Sequence, residues 1–216
     1  MAAISQTSGQ IALRDPDTRL MLAVRDDEPG AFEELVEKYQ NRLVAVLHHL
    51  VGHAQEAEDL AQEVFLRVYR ARKKYRARAK FSTWLFTIAN NLASNALRDR
   101  QRRHVVPLPT NESGPLGPRP AERLAEDNGN RPSHEMRTQE LASVVRRALE
   151  GLNERQRTAV ILNKFEEMNY AEIATIMGLT TKAVKSLLNR ARTNLRDVLK
   201  DYILMDGDSI ASTASQ

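Results

Sequence analysis

Cysteine is missing from all 216 residues. Its absence excludes disulfides, thiolate zinc sites and thiol nucleophiles, and it suits a reducing compartment such as the cytoplasm. No run of about 18 apolar residues occurs, and no charged start followed by an apolar stretch opens the chain. Neither a membrane insertion nor a secretory signal is therefore expected. Aromatic residues and glycine are scarce too, with one Trp, five Phe, five Tyr and nine Gly. Strands favour aromatic and β-branched residues, whereas this chain is rich in Ala, Leu, Arg and Glu, so the expected class is all-α. There is no phosphate-cradling glycine loop and no nucleophile elbow. His48, His49, His53 and Glu56 come near metal-ligand spacing, but Gly52 interrupts them and no further His or Cys closes a site. We expect no catalytic residue, no metal, no cofactor and no small-molecule substrate.

What the chain has is charge, unevenly placed. The formal net charge is only +4, yet Arg67, Arg70, Arg72, Lys73, Lys74, Arg76, Arg78 and Lys80 follow one another with no acidic residue between. Arg98, Arg100, Arg102 and Arg103 form a second basic cluster, and a third spans Lys182 to Lys200. Residues 28–63 are acid-rich by contrast. Separate basic clusters with an acidic face held apart point to a polyanion partner.

Apolar residues recur at three- and four-residue steps through Phe32, Leu35, Val36, Tyr39, Leu43, Val46, Leu47 and Leu50, which predicts a helix from Pro29 to Val51. A second helix is expected over 54–71 and a third over 81–103. Six of the eight prolines (Pro107, Pro109, Pro115, Pro118, Pro120 and Pro132) then fall in a stretch without periodicity, which reads as a flexible interdomain linker. The expected organisation is two small helical domains, tethered by that linker. Residues 1–28 would be a flexible tail, 29–103 the first domain, 104–133 the linker, 134–204 the second domain and 205–216 a polar tail.

The second domain carries the sharpest pattern. Asn153 stands three residues before Gln156, and Asn169 three before Glu172, each a capping-box-like helix start. Between Tyr170 and Arg192, Ala174 lets two helices approach, Gly178 can take the positive φ of a tight turn, and Val184 faces back toward Ile173 and Met177. This is a helix-turn-helix, whose second helix enters the major groove. On its outward face lie Lys182, Lys185, Ser186, Asn189 and Arg190, with Arg192 and Arg196 placed for phosphates. Lys and Arg can read guanine acceptors, and Asn can pair with adenine.

Together and in this order the two halves resemble a bacterial RNA polymerase sigma factor of the extracytoplasmic-function group. The resembling residues are 57–70 (AEDLAQEVFLRVYR), 81–91 (FSTWLFTIANN), 152–157 (LNERQR) and 170–192. The resemblance implies a transcription initiation factor that binds core RNA polymerase and promoter DNA, both duplex and melted. It implies that Asp59, Gln62 and Glu63 dock on the polymerase clamp. It implies that Lys73, Lys74, Tyr75, Arg76, Arg78 and Lys80, with Asn91, Asn95, Arg98, Arg102 and Arg103, melt and hold the −10 element. The helix-turn-helix would read the −35 element. An anti-sigma factor is a further partner that the group commonly has. Two residues depart from the family pattern: Ala183 has no hydroxyl to donate, and Leu187 replaces an expected arginine. The alternative is a helix-turn-helix regulator that binds an operator without polymerase, but no ligand or phosphoacceptor pocket is legible in the first domain.

Overall fold

The protein, described by a computed structural model over residues 14–105 and 143–213, is built from helices. The expected linker lies outside the described residues except for its first two. The first helix, α1 (Pro16–Arg25), lies inside the segment read as a tail. Its start combines two strong helix signals: Asp15 accepts from the Thr18 backbone N–H, and Pro16 opens the first turn. Thr18, Met21 and Val24 are buried, so α1 belongs to the first domain and the tail boundary at residue 28 is corrected.

Helix α2 (Ala31–Val51) is bracketed by Gly30 and Gly52, both left-handed. Gly52 N–H caps the helix on the His48 carbonyl at 2.9 Å. Its predicted stripe is the core, with Leu35, Leu43 and Leu47 fully buried and Tyr39 nearly so. Helix α3 (Ala54–Ala71) lays Ala57, Ala61, Val64 and Val68 on that stripe. A short 3₁₀ turn (Arg72–Lys74) leads through the basic loop into α4 (Phe81–Val105). Phe81, Leu85, Phe86 and Ala89 of α4 complete the core. Phe81 meets Tyr39 edge-on at 5.2 Å between ring centroids. Ile88 and Ala96 of α4 are only half-buried.

The second domain opens with α5, described over 143–150. Helices α6 (Glu154–Lys164) and α7 (Tyr170–Met177) follow, both started by full capping boxes at Asn153/Gln156 and Asn169/Glu172. Helix α8 (Thr181–Thr213) is longer than expected. It runs past residue 200 into the segment read as a polar tail, where Gly207 is the one strong helix breaker and no proline occurs.

The two domains are not merely tethered. Helix α7 packs on α4, and α6 packs on α2. Buried apolar residues of both domains form one continuous cluster, and several polar contacts cross beside it. Arg42 pairs with Glu166 at 2.6 Å, Lys80 pairs with Glu172 at 2.9 Å, and Ser94 donates to Glu154 at 2.8 Å. His49 stacks on Phe165 at 5.0 Å.

Candidate nucleic-acid interface

The helix-turn-helix is built as its sequence demands. Gly178 takes φ 63° and ψ 36°, a conformation that strains any residue with a Cβ. The turn lets Leu179 N–H reach the Ala174 carbonyl at 2.9 Å, and Thr180 Oγ accepts from Ala183 N–H at 3.2 Å to start α8. Val184, Leu188 and Ala191 face inward with Ile173, all buried. The opposite face carries Lys182, Lys185, Ser186, Asn189, Arg190, Arg192 and Arg196, every one exposed.

Among the described residues no carboxylate forms an ion pair with the cations of that face. Exposed cations without carboxylate partners are the kind that can replace counterions at phosphates. Arg192 receives one constraint, a long hydrogen bond of 3.4 Å to the Tyr170 hydroxyl, which ties it to the start of α7. Leu187 is half-buried and packs against the core. That inward pull accounts for an apolar residue at this position.

The basic loop of the first domain sorts its cations into two kinds. Lys73 is already engaged, by the Asp27 carboxylate and by the Arg25 carbonyl at 2.7 Å. Arg72 pairs with the same carboxylate at 3.0 Å and lies 3.9 Å from the centroid of the Tyr69 ring. These contacts hold Asp27's carboxyl below its ordinary range. Lys80 is committed to Glu172, which raises its ammonium above the usual lysine range. Lys74, Arg76 and Arg78 remain exposed.

Beside the loop lies a cavity of about 540 Å³, walled by Tyr75, Thr83, Trp84 and Thr87 and by Thr175 from the second domain. Tyr75 is buried rather than displayed, 4.9 Å from Trp84 between centroids. Trp84 is half-buried, with one side on Tyr75 and Phe81 and a part lining the cavity. The Thr83 hydroxyl is buried and has no hydrogen-bond partner among the described residues. Leaving such a group unpaired costs about 1–3 kcal/mol, so a ligand that meets it gains.

Along α4, Asn91, Asn95, Arg98 and Arg102 are exposed on one side. Asn95 accepts from Arg98 at 2.9 Å, which orients both side chains. The Arg103 side chain lies outside the described residues. Asn90, unremarked in the sequence, turns toward the second domain, 3.5 Å from the Ile176 carbonyl.

The acidic face of α3 presents Asp59 and Gln62 to solvent, while Glu63 pairs with Arg67 one turn on at 2.7 Å. Next to them runs a groove between α2 and α3 that the sequence reading missed. Its volume is about 960 Å³, and Phe32, Val36, Val44, Phe65, Leu66 and Tyr69 give it an apolar lining. Leu66 is 49% exposed and Tyr69 43%. The signal was a second apolar stripe on α3, beside the one that fills the core.

Comparison with known proteins follows the same two-part division. Residues 35–103 match the family description Sigma-70 region 2, and residues 142–195 match Sigma-70, region 4. The RNA polymerase sigma-H factor of Pseudomonas aeruginosa is 34% identical over 194 residues, covering 88% of this chain and 97% of that protein. The ECF RNA polymerase sigma factor SigW of Bacillus subtilis is 29% identical, covering 82% of this chain and 94% of its own. Among solved structures, the sigma factor RpoE of Bartonella quintana, crystallised with the anti-sigma factor NepR, superposes with a TM-score of 0.59 at 25% identity. That match covers 79% of this chain and 98% of the other.

Proposed function

Because the chain belongs to the sigma-70 family, in its extracytoplasmic-function group, we propose that its two domains read two separate promoter elements while core RNA polymerase holds the first. The chain is a promoter-specific transcription initiation factor, and its place of work is the cytoplasm, where polymerase meets DNA. Among the described residues no helix is long and apolar enough to cross a membrane.

The exposed face of α8 reads the −35 element as duplex, with Lys185, Ser186, Asn189 and Arg190 at base edges and Lys182, Arg192 and Arg196 at phosphates. Lys74, Arg76, Arg78, Asn91, Asn95, Arg98, Arg102 and Arg103 hold the melted −10 strand. The cavity at Trp84 and Thr83 takes an extruded base, whose unstacking costs a few kcal/mol. Tyr75 walls that cavity, and Lys73 and Lys80 reach phosphate only after leaving their carboxylate partners. Asp59, Gln62 and Glu63 meet a basic helix of the polymerase, and the neighbouring apolar groove supplies the buried area that a charged face alone lacks. An anti-sigma factor is a further partner, by analogy with the RpoE–NepR complex.

The observation that carries this reading is the uncommitted cationic face of the helix-turn-helix joined to a second, separate basic site. Elements about 25 base pairs apart are separated by about 85 Å of B-DNA. Helix α7 sits directly on α4, so the domains must part for both elements to be read at once. The chain between residues 105 and 143 can span roughly 120 Å when extended, which is long enough. Reconstitution with core polymerase on a mixed promoter library, followed by transcript-start mapping, tests the function. Starts at fixed distances from a shared pair of elements are expected. Starts that are the same with and without the protein would refute it.

A further inference from the structure

We propose that Asp15 and Thr18, in the segment before the Sigma-70 region 2 match, are positioning residues for promoter melting. They form a shared cap that joins the start of α1 to the start of α4. The inference rests on the reading of α4 as the helix that holds the melted strand.

Helix α4 needs such a cap. Its first N–H groups have no partner within the helix, and the residues leading into it, Ala79 and Lys80, carry no side-chain acceptor. The acceptors come from more than sixty residues away in sequence. Phe81 N–H donates to Thr18 Oγ at 3.1 Å, a buried hydrogen bond, and to Asp15 Oδ2 at 3.3 Å. The same Asp15 oxygen accepts from Thr18 N–H at 3.1 Å and from the Thr18 hydroxyl at 2.9 Å. One carboxylate and one hydroxyl thus terminate two helices, and the negative charge suits both N-terminal dipoles.

Two further ties brace the same corner. Asp17 accepts from the Tyr39 hydroxyl at 2.5 Å and also pairs with Lys38, which fixes α1 on α2. Asp27, just past α1, fastens Arg72 and Lys73 at the start of the basic loop. Helix α1 therefore holds the loop at one end and α4 at the other, on either side of the cavity lined by Thr83 and Trp84. Thr18 is fully buried, so it acts by holding that corner and not by touching DNA.

The test uses holoenzyme assembled from the full chain and core polymerase, on a promoter carrying 2-aminopurine in the −10 element. Thr18→Val and Asp15→Ala are expected to slow strand opening about fivefold, the scale of a lost helix cap. Polymerase affinity and protection of the duplex −35 element should stay within about twofold of wild type. Thr18→Ser and Asp15→Asn, which keep an acceptor, should restore the opening rate. A template already unpaired across the −10 element should restore transcription by the impaired variants. Wild-type opening rates in Thr18→Val and Asp15→Ala would overturn the proposal. So would an equal loss of opening, polymerase binding and −35 protection, since that is plain unfolding. If wild-type holoenzyme itself fails to open the −10 element, the underlying reading of α4 fails instead.

Discussion

Replacing Arg42 by Ala should loosen the two domains, whereas replacing Glu166 by Gln should not. Arg42 Nη2 lies 2.6 Å from Glu166 Oε2, and the two side chains are 47% and 4% exposed. For charge centres about 4 Å apart the attraction is about 4 kcal/mol at an effective dielectric of 20. Desolvation of the glutamate opposes it, and burial wins: the Glu166 carboxyl is pushed above its ordinary range despite the arginine. Removing Arg42 leaves that carboxylate buried without its partner, which costs 3–5 kcal/mol in a fully buried pair. Arg42 is half exposed and water screens it, so we expect about 1–2 kcal/mol, a five- to thirtyfold shift toward separated domains. Glu166→Gln removes the buried charge and keeps an acceptor for Arg42, so packing should hold or tighten.

The pH response carries the same sign. A carboxyl whose value is raised on packing favours the packed form at acid pH. That contribution is lost as pH rises from the ordinary carboxylate range through the raised value. The absence of cysteine makes the assay clean. Glu37→Cys and Asn194→Cys, both at exposed positions, accept a donor and an acceptor dye, and energy transfer reports the interdomain distance. Equal transfer in wild type and Arg42→Ala would refute the reasoning, as would Glu166→Gln opening the domains as far as Arg42→Ala does.

Other expectations follow from the site. Asn91→Ala combined with Asn95→Ala should impair −10 opening, read by permanganate reactivity of thymines, while −35 protection survives. In a salt titration of promoter binding, Lys182→Ala should reduce the slope of log affinity on log salt by about 0.9, one phosphate contact. Lys73→Ala should reduce it less, because Asp27 already neutralises that lysine. Leu66→Ser should weaken holoenzyme assembly, measured by competition for core polymerase, and leave the melting temperature nearly unchanged, since Leu66 is half exposed.

The sequence was most informative where local chemistry decides structure. The Asn153 and Asn169 capping boxes, Gly52 and Gly178 each act within a few residues, and their geometry followed directly from residue type. The stripe of α2 was legible because a single period of apolar residues fills a single core. Helix α1 was missed for the opposite reason. It spans ten residues, too few for a periodicity to stand out, and its partners Tyr39, Lys73 and Phe81 are distant in sequence. The groove of α3 was hidden because the helix has two apolar faces and only one of them fills the core. The interdomain contacts were illegible for a third reason: Arg42, Lys80, Ser94 and Asn90 are polar residues that any solvated face would carry. Of the candidate DNA residues, those on the α8 face are exposed, whereas Tyr75, Lys73 and Lys80 have structural engagements that their residue types did not announce.

The claim that most needs testing is that one chain reads duplex and melted DNA at separate sites with polymerase between them. Combined nuclease and permanganate footprinting of the same promoter tests it directly, with protein alone, core polymerase alone and the two together. Protection of an upstream duplex element and reactive thymines about 25 base pairs downstream are expected, both appearing only when protein and polymerase are present. A symmetric footprint from the protein alone, with no reactive thymines when polymerase is added, would contradict it.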